Sequence, residues 1–133
     1  MAIPINIPAL VMGTLLLASC SSAQADRLNP KNKLHCAAAL GVAGQNAERT
    51  NASAEQRRTL FVGNSWYSQR VPKGALETPE ARQAVAIALQ DIPALEPIAA
   101  ACIKRASREA GFAGFRRRIG AVYDEADAAR RSN

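Results

Sequence analysis

The segment FAGFRRRIGAVYDEADAA, residues 112–129, carries the clearest fold signal in this chain of 133 residues. Apolar side chains recur in it at steps of three, four, three and four residues: Phe112, Phe115, Ile119, Val122 and Ala126. This spacing places them on one face of an α-helix, with charged residues between them. The segment therefore predicts an amphipathic helix that packs its apolar stripe against other helices.

Four further helices are predicted upstream from their caps and apolar spacing. Asn29-Pro30, Ser53 and Thr78-Pro79 have the residue types that begin helices. No alternation of polar and apolar residues lasts long enough to predict a strand. The fold class is therefore all-α, a small bundle of four to five helices. The four upstream ranges are 30–47, 54–70, 79–90, and 95–110 or 97–110.

Few large side chains are available for the core, because the chain is rich in alanine and only 5% aromatic. Alanine favours helices but buries little apolar area. The large residues predicted to form the core are Leu60, Phe61, Trp66, Tyr67, Leu89, Phe112, Phe115 and Ile119. On the third helix the inward positions are predicted to be Ala81, Val85, Ala88 and Leu89. So thin a core would benefit from a covalent crosslink.

The N-terminal segment has the pattern of an export signal. Residues 9–18 are small or apolar apart from one threonine, too short a run to span a bilayer but long enough for a secretory signal. Residues 17–20, LASC, are an aliphatic residue, two small residues and a cysteine. In this segment the chain resembles bacterial lipoprotein precursors. The resemblance implies cleavage before Cys20 and attachment of lipid to that cysteine.

A second cleavage site stays open. Residues 23–25, AQA, have the small-x-small pattern of an ordinary signal peptide, which would release a chain beginning at Asp26. A buried core segment with Cys20 as a small hydrophobic residue is the remaining alternative. The predicted organisation is a signal peptide over residues 1–19, or 1–25 for the second site, a linker over 20–29 and a helical domain over 30–131.

Both cleavages leave Cys36 and Cys102 as an even pair of cysteines. Disulfides persist in the oxidising compartments outside the cytoplasm, so we expect a bridge between these two residues. Closing so long a loop contributes about 4 kcal/mol in the chain-entropy estimate. The one histidine, His35, lies beside Cys36, and no Cys-x-x-Cys pair is present. A four-ligand zinc site would therefore be hard to assemble, and no metal or cofactor is predicted.

Positive charge is the main feature of the predicted surface. All 17 Lys and Arg and all 11 Asp and Glu residues follow residue 25, so the exported part carries the whole net charge of +6. Candidate contacts to anionic lipid headgroups or another polyanion are Lys104, Arg105, Arg108, Arg116, Arg117 and Arg118. The alternative is a solvated helix face, balanced in part by Asp124, Glu125 and Asp127. Export disfavours nucleic acid as a partner.

No catalytic set is predicted. His35 has no Ser or Asp partner at a meaningful spacing, and Glu77 and Glu80 suit a helix start without catalysis. The stretch NSWY, residues 64–67, is the most unusual local sequence. It is a candidate for ligand contact, with aromatic packing at the edge of the core as the alternative.

The sequence thus predicts a non-enzymatic helical binding or structural module of the bacterial envelope. It would face the periplasm, held at the membrane by a lipid on Cys20, and bind an envelope protein or anionic headgroups. One alternative is a soluble periplasmic chaperone-like or stress protein, because the chain resembles small disulfide-linked acid-stress chaperones in architecture. The other is an enzyme acting on cell-wall material.

Overall fold

The computed structural model describes residues 27–133, in which five α-helices follow one another with no strand. The predicted signal peptide, the lipidation at Cys20 and the cleavage after Ala25 lie outside the described residues. None of the helices in the described range is long and apolar enough to cross a membrane. The all-α prediction is confirmed. The helices are α1 (Lys33–Arg49), α2 (Ala54–Ser68), α3 (Pro79–Gln90), α4 (Leu95–Ser107) and α5 (Phe112–Arg131), with a 3-10 turn over Ala75–Glu77.

The predicted caps of α2 and α3 are confirmed. The Ser53 hydroxyl accepts a hydrogen bond from the Gln56 N–H at 3.1 Å. The Thr78 hydroxyl accepts one from the Ala81 N–H at 3.2 Å, and Pro79 occupies the first turn of α3. Each cap satisfies a backbone donor that the first helical turn leaves without a partner.

The predicted start of α1 at Pro30 is wrong by three residues. The Asn32 N–H donates to the Asn29 carbonyl at 3.0 Å, so residues 29–32 form a turn. The Asn32 side chain then caps the helix by accepting from the Leu34 N–H at 2.9 Å and from the His35 N–H. A second asparagine, three residues after the first, therefore starts the helix, and the proline belongs to the turn before it.

The first of two apolar clusters lies between α1, α2, α4 and α5. Trp66 is 1% exposed, and its ring meets the rings of Phe112 and Phe115 edge-on, with centroids 5.1 and 5.2 Å apart. The predicted Cys36–Cys102 disulfide lies in this cluster and joins α1 to α4, with Cα atoms 5.7 Å apart. The few large side chains and the covalent link therefore occupy the same part of the bundle.

The second cluster holds α3 against α1 and the start of α4. Its members are mostly small: Leu28, Ala38, Ala39, Val42, Ala84, Ala88 and Leu95. Leu28 belongs to the predicted linker but is only 6% exposed. Packing of the helical part thus begins two residues before the predicted boundary at residue 30.

Several residues predicted to be buried are exposed. Val85 and Leu89 are 38% and 56% exposed, because α3 packs on α1 through its alanine row and covers only a narrow strip. Phe61 is 40% exposed, beside the buried Val62. On α5 the buried stripe continues after Ile119 to Tyr123, which leaves Val122 exposed. Ala126, also predicted inward, is exposed for the same reason.

Candidate functional site

A groove of about 730 Å³ opens between α2 and α4, and we call it the α2–α4 groove. Glu55, Glu96 and Lys104 stand exposed at its edge. Its volume is within the range of about 300–1,000 Å³ typical of ligand sites. The groove is therefore an open apolar surface with charged residues beside it. The apolar side chains that line it include Ala43, Ala47, Leu60, Ile92, Leu95, Ala99 and Ile103.

At one end of the groove α4 lies in close contact with α2. At Gly63 a Cβ atom would fall on Ile103 Cδ1 and lie 3.1 Å from Leu40 Cδ1, so the helices touch there. Three and four residues earlier along α4, the groove is lined by Ala100 and Ala99, whose side chains are too short to reach across. Glycine at the contact and alanine beyond it thus shape the opening.

A second hollow of about 450 Å³ adjoins the groove, between α2, α4 and α5. It shares Glu55, Thr59 and Ile103 with the groove, so the two depressions are continuous. Arg116 and Arg117 line this hollow. The continuous surface is therefore apolar along α4 and basic at its α5 side.

Three of the six predicted anion contacts line the continuous surface formed by the groove and the hollow. Lys104 stands at the α2–α4 groove, and Arg116 and Arg117 line the hollow beside α5. Arg118 lies near Gly114 on α5, and Arg108 is exposed at the C-terminal cap of α4. The arginine triplet is spread around α5 because successive helical residues point in different directions.

Arg105 has a structural contact that the sequence did not indicate. Its Nη1 donates to the Pro30 carbonyl at 3.3 Å and also to the Lys31 carbonyl. The side chain therefore ties the turn before α1 to the C-terminal half of α4. Arg105 is half-buried, unlike the exposed Lys104 and Arg108 beside it.

A polar cluster was not predicted from the sequence: the buried Arg57 and Tyr123 lie together with the partly buried Asp127 and the exposed Glu48. Arg57 is 4% exposed, and its Nη1 donates to the Tyr123 hydroxyl at 3.0 Å and to the Asp127 carboxylate at 2.7 Å. Its Nε donates to the Ala52 carbonyl at 2.9 Å. The Tyr123 hydroxyl in turn donates to the Glu48 carboxylate. The cluster joins the ends of α1 and α5 to the first turn of α2.

The pKa directions in this cluster follow from its hydrogen bonds. The hydrogen bond to Asp127 raises the pKa of Arg57, and the same bond lowers the pKa of Asp127. Burial raises the pKa of Tyr123, and its hydrogen bond to Glu48 acts in the same direction. Both members of the central pair therefore favour their charged forms, as expected for a hydrogen-bonded ion pair.

One signal in the sequence points to this cluster. Tyr123 and Asp127 follow Ile119 at successive steps of four, so they continue the buried stripe of α5 with polar groups. An arginine on a facing helix is the natural partner for a carboxylate placed there. The predicted alternation of three and four residues placed Val122 on the buried face, and the residues at steps of four were therefore not recognised as buried.

The NSWY stretch makes internal contacts rather than lining the α2–α4 groove. The Asn64 amide donates to the Ala37 carbonyl at 2.8 Å, and the Tyr67 hydroxyl donates to the Cys102 carbonyl at 2.7 Å. Burial raises the pKa of Tyr67, and the Arg105 charge opposes that shift. This stretch therefore holds α2 against α1 and α4.

The remaining candidate side chains are apart from one another. His35 Nδ1 accepts a hydrogen bond from the Asn29 N–H at 2.9 Å, in the turn before α1. Glu77 and Glu80 are exposed at the 3-10 turn and at the start of α3. Within residues 27–133, no group of three or more His, Cys, Asp or Glu side chains is placed to hold a metal ion.

Comparison of the chain with protein-family models, with curated proteins and with solved structures returns no match.

Proposed function

We propose that this protein is a lipid-anchored, non-enzymatic binding module of the bacterial envelope, and that the α2–α4 groove takes an apolar segment of another envelope protein. The observation that carries the proposal is the groove itself, about 730 Å³ of open surface with an apolar lining. Apolar surface left open to water favours burial against a partner. The lipid on Cys20 would keep the groove at the membrane surface.

The disulfide supports the exported location. Cys36 and Cys102 are both fully buried and bonded to each other. Bonds of this kind are typical of secreted and periplasmic proteins and rare in the reducing cytosol. Together with the signal-like residues 9–18, the bond supports a protein that folds after export.

An amphipathic helix is the kind of segment that fits the groove. Such a helix lays its apolar face into an apolar groove between helices and keeps its polar face in water. The short side chains of Ala43, Ala47 and Ala99 leave room for larger apolar side chains from the partner. Glu55, Glu96 and Lys104 at the edge would contact polar groups that flank them.

Site-specific photocrosslinking in the native envelope tests the groove. A photoreactive residue replaces Ala100, which is exposed and lines the groove, and in a matched variant it replaces Ala86, which is exposed on α3. We expect a discrete adduct from position 100 that is absent from position 86, with the crosslinked peptide of the partner rich in apolar residues. Equal adducts from both positions, or none from position 100, would contradict the proposed groove.

The intact mass of the protein isolated from its host tests the anchor. A mass that fits lipid on Cys20 would support the anchored form. A mass that fits cleavage after Ala25 would favour the alternative, a soluble periplasmic protein with a chaperone-like role. That alternative uses the same groove, because an open apolar surface also suits transient binding of unfolded segments.

A further inference from the structure

The start of the described chain is fixed against α4. Leu28 is buried in the second apolar cluster, and Arg105 donates hydrogen bonds to the carbonyls of Pro30 and Lys31. The disulfide from Cys36 to α4 holds the first turn of α1 to the same helix. The turn before α1 therefore lies beside the C-terminal half of α4, and we call this region the exit end because the described chain begins a few residues before it.

Positive charge is concentrated at the exit end. Its basic residues are Arg27, Lys31, Lys33, Arg105 and Arg108, all exposed apart from the half-buried Arg105. None of these five side chains forms an ion pair with an acidic side chain of the described residues. Asp26 and Glu109 are the only acidic residues in the same stretches of sequence, so the exit end carries much of the chain's net charge of +6.

We infer that the exit end is the membrane-facing surface of the protein and contacts anionic lipid headgroups. The inference rests on the proposed lipid anchor, because a lipid on Cys20 is joined to the bundle at this end. The eight residues from Cys20 to Leu28 span at most about 28 Å when fully extended. The tether therefore keeps the basic residues of this end close to the bilayer, where they add an electrostatic contact to the lipid.

Two of the six residues predicted from sequence as anion contacts, Arg105 and Arg108, belong to the exit end. Lys104 lines the α2–α4 groove instead, and Arg116 and Arg117 line the hollow beside α5. The fold adds Arg27, Lys31 and Lys33 to the exit end, because the hydrogen bond from Arg105 to the Lys31 carbonyl holds this distant part of the sequence against α4. Charge complementarity thus comes from the fold rather than from one basic run.

Vesicle binding of the unlipidated protein tests the inference. The chain beginning at Asp26 holds both apolar clusters and the disulfide, and circular dichroism would check that it is folded. Its partition is measured with vesicles of one part phosphatidylglycerol to two parts phosphatidylcholine, and with phosphatidylcholine alone. One variant combines Lys31→Gln, Lys33→Gln and Arg108→Gln, leaving Arg105 in place because of its structural contact. The matched variant changes Arg49, Arg130 and Arg131 to Gln, with the same loss of charge, since these exposed residues lie at the opposite end of α1.

We expect the exit-end variant to bind the anionic vesicles on the order of 100-fold more weakly than the unmodified chain, at the usual contribution of each basic residue near a charged surface. The matched variant is expected to bind within a few-fold of the unmodified chain. Equal losses in both variants would refute the inference, as would the absence of binding to anionic vesicles. The vesicle assay uses unlipidated protein, so its result does not depend on the anchor. The anchor is tested separately, and an intact mass without lipid on Cys20 would refute it.

Discussion

Loss of the Cys36–Cys102 disulfide should cost this protein a large share of its stability. The two cysteines are 66 residues apart in sequence, and the crosslink joins α1 to α4 inside the larger apolar cluster. The chain-entropy relation for a loop of this length gives about 4 kcal/mol. Domains of this size have total stabilities of roughly 5–15 kcal/mol. At about 4 °C per kcal/mol, the midpoint of thermal unfolding should fall by roughly 16 °C.

The disulfide must be reduced with the chain unfolded, because both sulfur-bearing side chains are fully buried. The assay therefore compares denaturant and thermal unfolding of the oxidised protein with protein reduced in denaturant and refolded in reductant. A Cys36→Ala, Cys102→Ala variant is the matched control, since reductant should not change its unfolding curve. Reduction should also increase the dependence of unfolding free energy on denaturant, because the free chain exposes more surface when unfolded.

The difference between the reduced protein and the alanine variant separates two effects. Both lack the crosslink, but only the alanine variant also loses the packing of two buried sulfur atoms. Superimposable unfolding curves for oxidised and reduced protein would refute the argument that the bond supplements a thin core. A loss seen only in the alanine variant would show that packing of the sulfur atoms, rather than the crosslink, stabilises the bundle.

Three further predictions concern the polar cluster and the contact that closes the groove. Arg57→Ala should lower the melting temperature far more than Arg58→Ala, and calorimetry of both variants checks this. The reason is that Arg57 is buried and its removal leaves the Asp127 carboxylate without its ion-pair partner, whereas the Arg58 side chain is 39% exposed. The lowered pKa of Asp127 stabilises the fold above about pH 4, and this stability is lost as pH falls through the folded pKa. Asp127→Asn should therefore flatten the acid side of the stability–pH profile measured by denaturant unfolding, and an unchanged slope would contradict the assignment. Gly63→Ala should destabilise, because overpacking costs about 1–3 kcal/mol and outweighs a helix-propensity gain of about 1 kcal/mol. Gly114→Ala, whose new Cβ would lie 3.4 Å from its nearest neighbour, should stabilise, and equal effects of the two substitutions in denaturant unfolding would argue against the close contact.

Local signals in the sequence predict the number of helices and the starts of α2 and α3. The caps at Ser53 and Thr78 form the predicted hydrogen bonds, and Pro79 lies where a proline is tolerated. The start of α1 was missed because Asn29 and Asn32 are both good caps, and their ranking depends on a turn held by Arg105 from another helix. Capping residues therefore locate helix ends only where no distant contact competes.

Side-chain burial was predicted less well because alanine-rich helices give a weak directional signal. On α3 the sequence pattern predicts that the large side chains of Val85 and Leu89 are buried. In the structure α1 packs against the alanines of α3, because their small side chains allow close contact. On α5 the polar Tyr123 and Asp127 face the bundle because they bind Arg57. Arg57 lies on α2, so the spacing of residues within α5 cannot predict this contact. Burial here depends on which surface the neighbouring helix presents.

The candidate site could not be derived from sequence for a related reason. A groove forms where side chains are too short to fill the space between helices. In the α2–α4 groove these are the side chains of Ala99 and Ala100, next to the contact at Gly63. The exit end likewise depends on the hydrogen bond from Arg105 to the Lys31 carbonyl, which joins residues more than 70 positions apart in sequence. Since the disulfide and Arg105 both tie the start of the bundle to α4, the same helix carries the groove and the exit end. A lipid tether at Cys20 would therefore set the position of the groove relative to the membrane through α4.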